Sequence, residues 1–134
     1  MIRHVATIAA LCLLAIGCAS SPSTAPSAPL TGSWRGTSGN TPIGTGAISA
    51  MIVQSGADLS GTWTIAFPNG AGSDGGALTG TFTTPNVTLT LRSAVPQACG
   101  YLASAALTDN RMTGTYATFG CAQGLSGPFE LSKQ

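Results

Sequence analysis

The chain has 134 residues, of which only 7% are charged, and a formal net charge of +1. That length holds one domain with one modest core, and solubility falls to the abundant Thr, Ser, Asn and Gln rather than to charge. From residue 18 onward Arg35, Arg92, Arg111 and Lys133 face an equal set of Asp58, Asp74, Asp109 and Glu130, so no basic surface exists to neutralise phosphates, and nucleic acid is not an expected partner.

Met1-Ile2-Arg3-His4 makes a short positive start, and Val5 to Ile16 is apolar. The run is long enough for an export signal and too short for a lasting membrane span. It ends in Leu14-Ala15-Ile16-Gly17-Cys18, which resembles the lipobox of bacterial lipoproteins. The resemblance implies a signal peptide over 1–17, cleavage before Cys18 and lipid on its thiol and freed amine. Two or three acyl chains make a durable anchor where one holds weakly. An ordinary secretory peptide with an incidental Cys18 is the alternative. Ala19, rather than Asp, follows the cysteine, which resembles lipoproteins sorted to the outer membrane, here facing the periplasm. Cys12 lies within the apolar run and reads as a plain apolar residue. Residues 18–29 combine the lipidated cysteine with a Pro/Ser/Ala-rich stretch without large apolar side chains, a composition that favours extended, solvated backbone and reads as a tether.

The domain predicted over 30–134 carries a recurring pentad: Leu30-Thr31-Gly32-Ser33-Trp34, Leu59-Ser60-Gly61-Thr62-Trp63, Leu78-Thr79-Gly80-Thr81-Phe82 and Met112-Thr113-Gly114-Thr115-Tyr116. In a strand the first, third and fifth residues share a face. Each copy therefore sets a large aliphatic, a glycine and an aromatic on one side and hydroxyls on the other. An inward glycine leaves room for a neighbouring aromatic or for a sharp bend of the sheet. Ile48, Ala50 and Ile52, then Val87, Leu89 and Leu91, then Phe129 and Leu131 alternate in the same way.

Turn signals separate these runs: Asn40-Thr41-Pro42, Ser55 to Asp58, Pro68 through Gly76, Pro85-Asn86, Pro96-Gln97, Asp109-Asn110 and Gly120 through Gly127. The predicted strands are 30–38, 44–54, 59–67, 78–84, 87–95, 101–108, 111–119 and 127–133. Short consecutive connections favour an all-β, eight-stranded antiparallel up-and-down barrel, whose closure removes exposed edges. A two-sheet β-sandwich is the alternative. Gly32-Ser33-Trp34 and Thr113-Gly114-Thr115-Tyr116 resemble strand motifs of the avidin and lipocalin-like small barrels. That resemblance covers about half of 30–134 and implies a ligand-holding barrel. The avidin family's polar biotin contacts have no counterpart here, so biotin is not implied.

Cys99 and Cys121 remain for the folded part, and an exported domain meets an oxidising compartment. They flank a hairpin turning at Asp109-Asn110. Pairing Thr108 with Arg111 sets Cys99 opposite Gly120, one residue from Cys121, which predicts a disulfide worth about 3 kcal/mol in the chain-entropy model. A redox-active pair would need a Cys-x-x-Cys spacing that is not there.

The sole histidine, His4, sits in the predicted signal peptide. No imidazole is then left for a Ser-His-Asp or Cys-His site or for zinc, and no catalytic residue, metal site or cofactor is expected. Asp58, Asp74, Asp109 and Glu130 are unpaired in sequence and read as turn formers and solubilising charges, as does Arg92 on an outward strand face. The stretch from Asn69 to Gly76 lacks the lysine and helix of a phosphate loop and the carboxylates of a calcium loop, so it reads as a flexible connection or lid. Trp34, Trp63, Phe82 and Tyr116 read as core. The alternative is that, with the inward glycines and the small Ala50, Ala103 and Ala105, they line a hollow interior.

Three non-enzymatic functions follow as expectations. The first is a lipid-anchored envelope binding module for a small apolar ligand or a partner protein. The second is an inhibitor of lysozyme or a secreted protease, resembling other small disulfide-bearing barrel lipoproteins. The third is a structural accessory lipoprotein without a ligand, which a solid barrel interior would mark.

Overall fold

A computed structural model describes residues 29–39, 44–122 and 124–134. The lipobox, Cys18, the tether up to residue 28 and the Asn40-Thr41-Pro42 turn lie outside them. Eight strands follow in chain order: β1 (Gly32–Ser38), β2 (Gly46–Ser55), β3 (Asp58–Ala66), β4 (Ser73–Thr83), β5 (Asn86–Ser93), β6 (Gly100–Thr108), β7 (Arg111–Phe119) and β8 (Ser126–Lys133). Each pairs antiparallel with its neighbour in sequence, and β1 also pairs with β8, with Trp34 opposite Lys133 and Ser38 opposite Phe129. The sheet closes as the expected up-and-down barrel, and the sandwich is thereby set aside.

Alternation places the core as the period of two requires. Leu30, Trp34, Ile52, Leu59, Leu78, Val87 and Met112 are buried inside, while Thr62, Thr79, Thr81, Thr88 and Thr115 face water. Three of the four glycines at the pentad centres act through the backbone. A Cβ built on Gly61 would stand 1.9 Å from the Met51 carbonyl oxygen, and one on Gly80 or Gly114 would stand 2.1 Å from the carbonyl oxygen of Thr88 or Ser104. These strands approach too closely for any side chain, and that approach lets a narrow barrel close. Making room for an aromatic is not the reason.

One expected boundary is corrected. The stretch read as a loop through Gly76 is loop only over 67–72, with one turn of 3-10 helix at Pro68–Gly70, and β4 already begins at Ser73. Asp74, Gly75 and Gly76 are strand residues paired with Ile65, Thr64 and Trp63. A Cβ on Gly76 would meet the Arg92 carbonyl oxygen at 2.1 Å, so glycine here marks close packing of strands rather than a flexible connection.

The two ends of the barrel differ. At one end β2–β3, β4–β5 and β6–β7 are joined by the two-residue turns 56–57, 84–85 and 109–110. The chain joins the barrel at the same end: Leu30 is buried, its carbonyl accepts from Trp34 Nε1 at 2.8 Å, and its N–H donates to Gln54 Oε1 at 3.1 Å. Lys133 Nζ donates to the Pro29 carbonyl at 2.8 Å. These contacts seal that end. At the other end run the longer connections 39–45, 67–72, 94–99 and 120–125.

Candidate functional site

In each strand, the inward residues nearest the long connections surround a cavity of about 230 Å3 rather than meeting at the axis. Ile48 and Ala50 of β2, Trp63 and Ile65 of β3, Leu89 and Leu91 of β5, Tyr101 and Ala103 of β6, Tyr116 of β7 and Phe129 and Leu131 of β8 contribute, with Phe67 and Leu125 from the flanking connections. Small residues fall at facing places. Ala50 is paired with Trp63 across β2–β3, and Ala103 with Tyr116 across β6–β7. Each alanine leaves its large partner without a side chain to pack against on the axis side, and the unfilled space is the cavity.

The aromatics are ordered against one another. Trp63 and Tyr101 meet edge to face at 5.3 Å between ring centroids, and Tyr101 and Tyr116 at 6.1 Å. Such pairs hold ring orientation beyond what burial supplies. Trp63 Nε1 reaches the Arg92 carbonyl at 3.4 Å, and the Tyr116 hydroxyl donates to the Gly39 carbonyl at 3.2 Å. Burial pushes the Tyr101 hydroxyl above the ordinary tyrosine range, with the Asp74 carboxylate and then Tyr116 adding to it. Burial alone does the same to Tyr116. Both phenols are held neutral and able to donate.

Asp74, placed in strand rather than loop, accepts hydrogen bonds from the Ser93 hydroxyl and the Gly75 N–H. It ties β4 to the end of β5 beside Tyr101. The Arg92 guanidinium lies 5.5 Å from the centre of the Phe119 ring, so this outward cation also covers an aromatic at the rim. The bonded pair Cys99–Cys121 joins the β5–β6 connection to the β7–β8 connection, across a sequence separation of 22. The β6–β7 register is the expected one, Thr108 opposite Arg111 and Gly100 opposite Phe119. The disulfide thus braces the rim of the cavity.

Of the four aromatics read from the sequence, Trp63 and Tyr116 line the cavity. Trp34 is fully buried in the sealed half, and Phe82 is half-buried against the core. Sequence reading missed Tyr101 and Ser38. Both were accessible to the same rule: Ser38 lies four residues past Trp34 in one strand, and Tyr101 lies two before Ala103, so parity turns both inward. Ser38 is 3% exposed, and its Oγ is the buried side-chain polar atom without a hydrogen-bond partner among the described residues. Among the described residues no charged side chain lines the cavity. Among the described residues no group of three or more His, Cys, Asp or Glu side chains gathers to hold a metal ion, and no helix is long and apolar enough to cross a membrane.

The fold and site define a class: a small closed up-and-down barrel, sealed at one end and hollow at the other. No protein-family model matches the chain, and no curated protein matches it in sequence.

Proposed function

We propose that the protein is a lipid-anchored envelope lipoprotein whose barrel binds a small apolar ligand, without catalysing a reaction on it. The observation that carries this reading is the cavity: about 230 Å3 of space lined by Leu, Ile, Phe, Trp and Tyr, in a protein with room for one modest core. An accessory protein without a ligand gains stability from filling such space, since deleted core volume costs stability in proportion to the void it leaves. The bracing of the rim by Cys99–Cys121 keeps the hollow end in shape. Its volume exceeds the roughly 150 Å3 at which an apolar cavity accepts benzene and lies below the roughly 300 Å3 where drug-sized pockets begin. The ligand class is accordingly a single ring or a short branched chain.

The anchor part of the reading rests on the lipobox resemblance at Cys18 and on outer-membrane sorting from Ala19. Residues 18–29 reach at most about 40 Å when extended. They join the barrel at the sealed end, where Pro29 and Leu30 are clamped. The cavity then opens away from the membrane, toward the periplasm, where a diffusing ligand can reach it.

The test is thermal denaturation of the domain with a panel of single-ring and short-chain apolar compounds. A saturable rise in Tm with at least one compound is expected, because a ligand that binds only the folded state stabilises it by mass action. Absence of any saturable shift across the panel would overturn the binding reading and turn attention to the loops as a protein-binding or inhibitory surface. Separately, Cys18→Ser is expected to abolish incorporation of labelled fatty acid and signal cleavage; normal processing of that variant would refute the anchor.

A further inference from the structure

The apolar cavity holds one element that its walls do not explain. Ser38 ends β1 among Gly46, Phe129 and the other inward residues, is 3% exposed, and lines the cavity with a hydroxyl that no group among the described residues satisfies. A buried hydroxyl without a partner is costly, and an alanine of nearly the same shape would avoid that cost. Two of the polar groups in the cavity wall are already engaged: the Tyr116 hydroxyl donates to Gly39, and Trp63 Nε1 points to the Arg92 carbonyl.

From this we infer that the cavity selects an uncharged ring compound bearing one hydroxyl or carbonyl group, which Ser38 meets with a hydrogen bond while the ring lies among Trp63, Tyr101 and Tyr116. The inference rests on the binding reading above and specifies its ligand. Among the described residues no charged side chain faces the cavity, so an ionic ligand would lose its hydration without a counter-charge. The three aromatics present ring faces and edges at steep angles to one another, 76° and 66°, which suits a flat ring that stacks on one and meets another edge-on. The volume admits one ring with small substituents. A site built to hydrogen-bond a ligand hydroxyl rejects the analogue lacking it far more strongly than an apolar pocket rejects an extra methyl.

The experiment compares p-cresol with toluene, which share ring and methyl group and differ by the hydroxyl. Each is titrated calorimetrically into the wild-type domain, Ser38→Ala and Ser38→Thr. The ratio of p-cresol to toluene affinity is expected to fall about ten-fold in Ser38→Ala, the effect of leaving a ligand hydroxyl buried without its partner. Ser38→Thr keeps a hydroxyl at the same atom, and its β-branched side chain suits a strand, so the wild-type ratio should persist there. A ratio unchanged by Ser38→Ala would overturn the role of Ser38 while leaving the cavity a binding site. Failure of both compounds to bind the wild-type domain would overturn the binding reading itself.

Discussion

The two ends of this barrel are built from the same alternating strands and differ in what fills them. At the sealed end Trp34, Leu30, Ile52 and Met112 are fully buried, and the indole closes a hydrogen bond onto the Leu30 carbonyl. At the hollow end residues of similar size, Trp63, Tyr101 and Tyr116, stand around open space, where Ala50 is paired with Trp63, Ala103 with Tyr116, and Ser38 also lines the wall. Connection length follows the same division, with two-residue turns at the sealed end and longer segments at the hollow one. Packing is densest where the chain joins the barrel, and the hollow end is braced by a covalent bond.

The most forceful way to break this comparison is to truncate the two tryptophans. Trp34→Ala should cost about 3–5 kcal/mol, the range for removing a fully packed aromatic. Trp63→Ala should cost at least about 1 kcal/mol less, because one side of that indole faces the cavity and has fewer atoms to lose. Urea denaturation of both variants measures the difference, and equal losses would mean that the two ends are equally packed. Next in size is the disulfide. Replacing Cys99 and Cys121 together by Ser should lower stability by about 3 kcal/mol, given the 22-residue separation. The barrel should persist by circular dichroism, since the core lies mainly toward the other end.

These contrasts were unevenly legible in the sequence. The pentads revealed strands, faces and the all-β class because a period of two needs no tertiary information. Closure followed from short connections between consecutive strands, and the cysteine pairing followed from counting outward from Asp109-Asn110. The start of β4 was hidden because Gly75 and Gly76 carry the composition of a loop. Only the neighbouring Trp63 and Arg92 carbonyls show that glycine is required there by close approach. Ser38 was hidden for a different reason: serine on a strand suggests the wet face, and parity with Trp34 was the stronger signal. Whether inward alanines leave a void depends on which side chains share a level across the barrel. That is fixed by strand stagger, which single-strand patterns do not contain.

The comparison sharpens further if space is filled at each end. Ala103→Leu adds volume toward the cavity and should cost less than about 1 kcal/mol, since the added methyl groups enter existing space rather than forcing neighbours apart. It should also abolish the Tm rise produced by any single-ring ligand. Val87→Phe places new volume in the sealed half, where Val87 is 1% exposed, and should cost about 1–3 kcal/mol or more by overpacking. A costly Ala103→Leu that still binds ligand would place the usable space elsewhere.

The smallest expected effect is electrostatic and belongs to the hollow end alone, because both tyrosines of the chain, Tyr101 and Tyr116, line the cavity. Burial raises both phenols above the ordinary value of 10.0, with Asp74 contributing at Tyr101. As pH rises through about 10, the unfolded chain releases these protons first and the folded chain still holds them. The unfolded state then binds fewer protons, so stability falls with pH; below that range the two states carry the same phenol protons and the effect vanishes. Tyr101→Phe removes the phenol on which burial, Asp74 and Tyr116 all act, so it should flatten the decline in Tm between about pH 9 and about pH 11 relative to wild type. Tyr116→Phe should flatten it as well, since burial raises that phenol too, while lowering Tm at every pH through the lost hydrogen bond to Gly39. An alkaline decline unchanged in the double variant would place its origin outside the cavity and remove this electrostatic distinction between the two ends.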